Sequence, residues 1–201
     1  MLARSVRALL AAWFALFVGS ALAENRAQQV SVSVLVQLAH DQAWANLRDF
    51  SVAHNYVPGL TRTEIVSVRR EGIGAHRRVY EEDGDFLEET IIEWQDGQGF
   101  VIKLHDGDKP MMPFERAEFS YRIEPSGDDQ TLVVLSLTYQ VPWGAVGETL
   151  ADWFIRPVME DRLVQVAAGM KHYYETGRPA TDEDRERLAE AVQLAPAGGA
   201  I

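Results

Sequence analysis

The chain has 201 residues, enough for one domain with a substantial hydrophobic core, so two full domains are not required. Its 19 Lys and Arg against 30 Asp and Glu give a formal net charge of −11, which disfavours nucleic acids and anionic lipid headgroups as partners. No cysteine is present, which excludes disulfides, thiolate metal sites and cysteine nucleophiles.

The first 23 residues differ in composition from the rest of the chain. Arg4 and Arg7 precede an apolar run over residues 8–18, and a small-x-small triplet follows at residues 21–23. This order predicts a secretory signal peptide that is cleaved after Ala23, and therefore a periplasmic or secreted protein. The alternative is a membrane anchor, but a spanning helix takes about 20 apolar residues, and this run is much shorter. We expect no integral membrane span after signal removal.

A single folded domain is predicted over residues 24–177. Valines alternate with other residues over 30–37, which is typical of a strand with one buried face. Residues 40–50 then change to helical spacing, and 51–56 form a candidate for a second short helix. Six further strand candidates follow, at 61–68, 75–82, 86–95, 100–105, 115–124 and 131–141. The glycine-containing links between them are short, which favours antiparallel hairpins over parallel crossovers.

A long helix is predicted over residues 158–175, with Gly177 placed to cap its C-terminus. Apolar side chains recur there at spacings of three and four, as expected for one buried stripe. These residues are Met159, Leu163, Val166, Ala167, Met170 and Tyr174. Residues 178–201 are predicted to be a charged tail that contains at most a short helix and has a frayed end.

These elements predict an α+β fold, in which a curved antiparallel sheet of about seven strands wraps around the long C-terminal helix. One helix cannot fill the whole concave side of a strongly curved sheet, so we expect a cavity between the two. Its predicted walls are Phe119 and Tyr121 on one strand and Leu135 and Tyr139 on the next. Leu163 and Met170 of the helix would cover it.

The order of one strand, two short helices, six strands and a long helix resembles the helix-grip fold of the START-like, or SRPBCC, superfamily. Within it, the chain is similar to the polyketide cyclase/dehydrase and lipid-transport group over about residues 30–176. The matching stretches are AWANLRDFSVAHNYVPGL, GIGAHRRVY, LEETIIEWQD and FERAEFSYRIEPSGDDQTLVVLSLTY. This resemblance implies a cavity for a hydrophobic small molecule or lipid, with Arg77 pointing into it.

Arg77 and Glu89 form the candidate polar pair of this cavity. Glu89 is expected on the neighbouring strand with its side chain on the same face, where a carboxylate can pair a buried guanidinium. Two interpretations remain open: the pair orients or activates a ligand, or it is a structural ion pair across the strands. Tyr56, beside the Pro58-Gly59 turn, is a candidate either for the pocket rim or for the core.

The loop at 109–114 is unusually apolar because it contains Met112 and Phe114 between prolines. One expectation is that the loop closes over the cavity or contacts a membrane or donor protein. The alternative is that its apolar residues pack on the core. Trp143 and Trp153 are candidates for the same cavity mouth, with plain packing as the alternative.

No metal or cofactor is predicted, because the five histidines show no pair at ligand spacing and no nucleophile-elbow or phosphate-loop motif occurs. Three functions remain: a binding protein for a hydrophobic small molecule or lipid, a cyclase- or dehydratase-type enzyme that uses the same cavity, and an interaction module that acts through its acidic surface. The oligomeric state stays open.

Overall fold

The computed structural model describes residues 26–195, so the predicted signal peptide and its cleavage site lie outside the described residues. The strands are β1 Gln28–Val36, β2 Leu60–Ile65, β3 His76–Glu81, β4 Phe86–Gln95, β5 Gly99–Asp106, β6 Lys109–Pro110, β7 Arg116–Pro125, β8 Thr131–Gln140 and β9 Gln193–Leu194. The α-helices are α1 His40–Leu47, α2 Gly144–Leu150, α3 Arg156–Thr176 and α4 Asp182–Ala189. A 3₁₀ turn spans Ala53–Asn55 and a π-helical segment spans Ala151–Ile155.

The strands form one antiparallel sheet in the order β2-β3-β4-β5-β7-β8-β1-β9, with β6 paired to β5. The predicted α+β helix-grip class is confirmed. Every strand predicted from the alternating pattern is present, and the described chain has nine strands rather than about seven. The two extra strands, β6 and β9, each have only two residues, so neither could produce a periodic signal.

Alternation along β1 explains how the sheet acquires a buried concave face. Val30, Val32, Val34 and Val36 each expose 3% of their surface or less. The buried apolar face of β8, which pairs with β1 along its full length, continues the same surface. Side chains at every second position therefore form one contiguous core.

On this concave face the long helix α3 packs chiefly against β1, with β8 beside it. Its buried stripe includes Leu163 and Met170, as predicted, and the helix ends at Gly177 in a left-handed conformation with φ of 69°. Gly169 allows α3 to approach the backbone of Tyr56 closely, since a Cβ at this position would lie only 2.2 Å from the Tyr56 carbonyl oxygen. None of the helices in residues 26–195 combines the length and the hydropathy that crossing a bilayer requires.

Helical structure begins well before α3. The α-helix α2 and the π-helical segment lead continuously into Arg156. A π-helical turn holds an extra residue, so side chains on either side of it are rotated relative to a regular α-helix. Such a change of phase cannot be read from apolar spacing alone.

The region predicted as a charged tail contains α4, which packs against α3. Thr181 caps α4 in a capping box with Asp184, and the hydrogen bonds from Thr181, together with Arg187, lower the pKa of Asp184 to about 2. After α4 the chain returns to the sheet, where Leu194 pairs with Val32.

Candidate functional site

A buried ion pair between Arg77 and Glu89 lies on the concave face of the sheet. The two residues are direct partners in the register of β3 with β4. Arg77 Nε donates to Glu89 Oε2 at 2.5 Å, and Nη1 donates to the carbonyl oxygen of Phe50 at 2.8 Å. The guanidinium carbon also lies 3.9 Å from the centroid of the Phe50 ring. The structure thus brings together the two residues that the sequence predicted to pair.

Arg77 keeps its charge although only 1% of its surface is exposed. Burial works to lower the pKa of Arg77, but the Glu89 carboxylate and the nearby oxygens of Tyr56 and Tyr121 raise it above its usual value. The pair is neutral as a whole. Because the guanidinium already donates to Glu89 and to Phe50, it is not available as a free anion receptor.

Three buried tyrosines surround this pair: Tyr56, Tyr121 and Tyr174. Burial raises the pKa of all three above its usual value, and the charge of Arg77 acts on each in the opposite direction. They are therefore protonated phenols at neutral pH. The Tyr174 hydroxyl has no hydrogen-bond partner among the described residues.

The Tyr139 hydroxyl, at the other end of α3, likewise has no hydrogen-bond partner within residues 26–195. Its side chain is fully buried, and its ring lies 5.1 Å from the ring of Phe114. Burial raises the pKa of Tyr139, with Arg156 opposing and Asp152 reinforcing that effect. The predicted pocket tyrosines are thus all buried on the concave side, at the two ends of the long helix.

The predicted wall residues Phe119 and Leu135, and the cover residues Leu163 and Met170, all point into the same interior. Packing is not uniform there. Glu89 and Leu104 are paired on β4 and β5, and together with Phe119 they keep 8–9% of their surface, whereas Ile102 beside them keeps 1%.

Aromatic side chains fill the interior near α1. Trp94 lies 5.1 Å from Trp44 and stacks on Phe100 at 5.5 Å between ring centroids. Phe100 in turn contacts Phe50 and Tyr121. Aromatic rings therefore occupy this part of the concave face.

The 109–114 loop is partly packed on the core and partly exposed, which are the two alternatives that the sequence left open. Phe114 is buried against Tyr139, whereas Met112 exposes 82% of its surface. Trp143 and Trp153, the other two candidates for the cavity mouth, are also exposed.

A second polar cluster, which the sequence did not predict, lies on the convex face around Glu88. Glu88 accepts hydrogen bonds from Arg78 and from the backbone N–H of Gly107, and His76 and His105 each lie 3.7 Å from it. Burial tends to raise the pKa of Glu88, but Arg78 and Gly107 outweigh it and the pKa lies below its usual value. Adjacent Glu88 and Glu89 thus face opposite sides of the sheet, as strand geometry predicts.

Two open clefts of about 440 and 390 Å³ lie on the surface on either side of the Arg48–Glu71 ion pair. Charged residues form most of their walls. The described chain contains no group of three or more His, Asp or Glu side chains placed to hold a metal ion.

Sequence reasoning missed two groups at the site. The Phe50 carbonyl that binds Arg77 is a backbone acceptor, which no residue pattern signals. Tyr174 was identified only as part of the apolar stripe of the helix, and its polar hydroxyl on a buried face was the signal that could have singled it out.

Comparison with solved structures identifies the same fold in proteins of low sequence identity. Zhui aromatase/cyclase from Streptomyces sp. R1128 is 18% identical, with a TM-score of 0.58 over 75% of this chain and 94% of that chain. A START superfamily protein from Mycobacterium smegmatis is 19% identical, with a TM-score of 0.56 over 74% and 97%. Norcoclaurine synthase from Thalictrum flavum, in complex with dopamine and hydroxybenzaldehyde, is 13% identical, with a TM-score of 0.55 over 73% and 86%.

These likenesses are of fold alone. No curated protein matches the sequence at a significant level. A family model, described as polyketide cyclase / dehydrase and lipid transport, matches residues 27–171 and so includes the whole sheet up to β8, the buried ion pair and most of α3. The chain belongs to the polyketide cyclase / dehydrase and lipid transport family.

Proposed function

We propose that this chain is an exported protein that binds a hydrophobic small molecule or lipid between the concave face of the sheet and α3. The observation that carries the proposal is that the buried hydroxyls of Tyr139 and Tyr174 have no partner in the described part of the chain. A buried polar group without a partner costs about 1–3 kcal/mol, and folded proteins seldom leave one unsatisfied. An oxygen of a bound molecule would accept from either hydroxyl.

The surroundings of these hydroxyls favour a neutral and largely apolar guest. The Arg77–Glu89 pair carries no net charge, and its guanidinium already donates to Glu89 and to the Phe50 carbonyl. Apolar walls such as Phe119 and Leu163 would supply affinity through burial, at about 25 cal/mol per Å² before the costs of binding. Hydrogen bonds from the tyrosines would fix the orientation of the guest.

The test begins with native mass spectrometry and solvent extraction of the protein recovered from exporting cells. We expect an apolar molecule to accompany it. Tyr139→Phe and Tyr174→Phe each remove one hydroxyl and keep the ring, so each should weaken rebinding of the extracted molecule by about tenfold, the worth of one hydrogen bond. Neither change should lower stability, because each removes an unsatisfied group.

Tyr80→Phe is the matched control, since the Tyr80 hydroxyl donates to Glu64 on the outer side of the sheet. It should leave rebinding unchanged. Recovery of an empty protein would reject the proposed function, as would Tyr139→Phe and Tyr174→Phe variants that rebind the extracted molecule as well as the control does.

An enzyme of the cyclase or dehydratase type is the second candidate, favoured by the tyrosines around the buried pair. The Tyr121 hydroxyl is hydrogen-bonded to Tyr56, and protonated Tyr56 beside Arg77 would donate to a carbonyl oxygen as negative charge develops on it. One variant distinguishes the enzyme from the binding protein. Tyr56→Phe should abolish turnover of a keto-containing ligand in the enzyme, whereas a binding protein shows no turnover before or after the change.

A further inference from the structure

Six large apolar side chains between residues 143 and 158 project into solvent and form what we call the apolar stripe. Each exposes between 48% and 78% of its surface: Trp143, Val146, Leu150, Trp153, Phe154 and Val158. Their exposure places them on the solvent side of α2, which Trp143 directly precedes, of the π-helical segment and of the start of α3. The stripe is about 22 Å long at helical rise.

Small residues form the side of this helix that packs on the protein. Gly147 and Ala151 are both buried, and Ala151 exposes 1% of its surface. A Cβ at Gly147 would lie 1.9 Å from the carbonyl oxygen of Pro142, so the helix contacts the preceding loop at van der Waals distance. The helix therefore packs through its small residues and leaves its large apolar residues uncovered.

Exposed Met112 adds to the apolar surface at this end of the molecule. Its loop neighbour Phe114 packs on Tyr139, and Tyr139 pairs with Gln28 in the register of β8 with β1. The Gln28 amide donates to the carbonyl oxygen of Glu148 in α2 at 3.1 Å. These contacts place the loop and the helix at one end of the sheet.

The chain enters the described structure at this same end. The backbone N–H of Arg26 donates to the Glu148 carboxylate at 2.8 Å. The first described residue of the chain therefore lies beside α2.

Charge and composition define the kind of surface that fits the stripe. Residues 143–158 contain two acids and one base, Glu148, Asp152 and Arg156, and the whole chain carries −11, so anionic headgroups offer no attraction. Tryptophan favours the boundary between hydrocarbon and headgroups, and an amphipathic helix can lie in that plane. We propose that the apolar stripe docks on a zwitterionic lipid bilayer by apolar insertion. This docking does not depend on a ligand in the interior.

The test uses vesicles of phosphatidylcholine, with and without added phosphatidylglycerol. The exported protein should sediment with the neutral vesicles and show reduced acrylamide quenching of its tryptophans. Anionic lipid should not strengthen binding, and raising the salt concentration should not weaken it. Trp153→Ser combined with Phe154→Ser should lower partitioning at least tenfold, because both side chains are exposed and their loss spares the fold.

The matched control is Val68→Ser combined with Ile73→Ser, which removes two exposed apolar side chains from the β2–β3 connection. It should partition like the unaltered protein. Absence of vesicle binding overturns the proposal, as does binding that requires anionic lipid and fails at high salt. A dimer in solution that Trp153→Ser with Phe154→Ser dissociates would also overturn it, since the stripe would then be covered by a second copy.

Discussion

At the scale of single residues, the donors of Arg77 decide what the buried pair can do. Nε and Nη2 approach Glu89, and Nη1 donates to Phe50, which belongs to the segment between α1 and the 3₁₀ turn. Arg77 thereby ties this segment to β3. We infer that the pair positions the segment carrying Tyr56, so the structural interpretation of the pair is favoured over direct contact with a ligand.

Glu89→Gln should destabilise the protein by about 3–5 kcal/mol, because it leaves the buried Arg77 cation facing a neutral amide. The free energy of unfolding in urea measures this cost. Replacing both partners, Arg77→Met with Glu89→Leu, should recover most of the lost stability since no charge is then stranded. Glu64→Gln breaks the exposed ion pair with Arg62 and should cost less than about 1 kcal/mol. A Glu89→Gln cost no greater than this control would contradict the assigned role.

The pairing of Arg77 with Glu89 could be predicted from the sequence because side chains alternate strictly between the two faces of a strand. Arg77 and Glu89 had to lie on the same face once the hairpin register was known, and the register brought them opposite each other. This alternation could not predict the third partner, the Phe50 carbonyl, because every residue carries the same backbone acceptor. The mutual proximity of Tyr56, Tyr121 and Tyr174 depended on how the helices settle on the sheet.

At the scale of elements, the site depends on the close contact of α3 with the Tyr56 segment. Gly169 makes this contact possible in the middle of the helix, although glycine is a poor helix former there. The sequence predicted the helix and its buried stripe from periodicity. It could not identify Gly169 as a contact point, since close approach leaves no periodic trace.

Gly169→Ala should destabilise the protein by about 1–3 kcal/mol, although alanine raises helix propensity by about 1 kcal/mol, because the new methyl group collides with the Tyr56 carbonyl. Urea denaturation measures the net effect, and the Tyr56 amide should exchange its hydrogen faster. Asp161→Ala, on the exposed face of α3, should change stability by no more than about 0.5 kcal/mol. A stabilised Gly169→Ala protein would mean that the helix can move away from Tyr56 without penalty.

At the scale of the whole molecule, the fold was the most predictable property. Seven strands and the long helix follow from periods of two and three to four, and short glycine turns dictate an antiparallel sheet. The orientation of the 143–158 segment was not predictable. The spacing of its apolar residues resembles that of a buried helix. Only the packing of Gly147 and Ala151 in the structure shows that the large apolar side chains point to solvent.

The intact mass of the recovered protein tests the predicted export and cleavage directly. The protein recovered from the periplasm or medium should have the intact mass of a chain beginning at Glu24, which lacks Arg4 and Arg7 and is two units more negative than the full chain. Ala23→Arg removes the small residue before the cleavage site, so the variant should keep its leader. Recovery of the unaltered protein only as the full chain in the membrane fraction would contradict cleavage and favour an anchor.

The pairing of β1 makes the order of synthesis matter. This strand leaves the ribosome first among the elements, yet it pairs with β8, about a hundred residues later, and with Leu194 near the end of the described chain. Until those partners emerge, its row of valines and its backbone groups have nothing to pair with in the sheet. Contacts so distant along the chain close slowly, and an unpaired strand edge invites aggregation. The beginning of the folded domain thus stays open to aggregation until its end has been made.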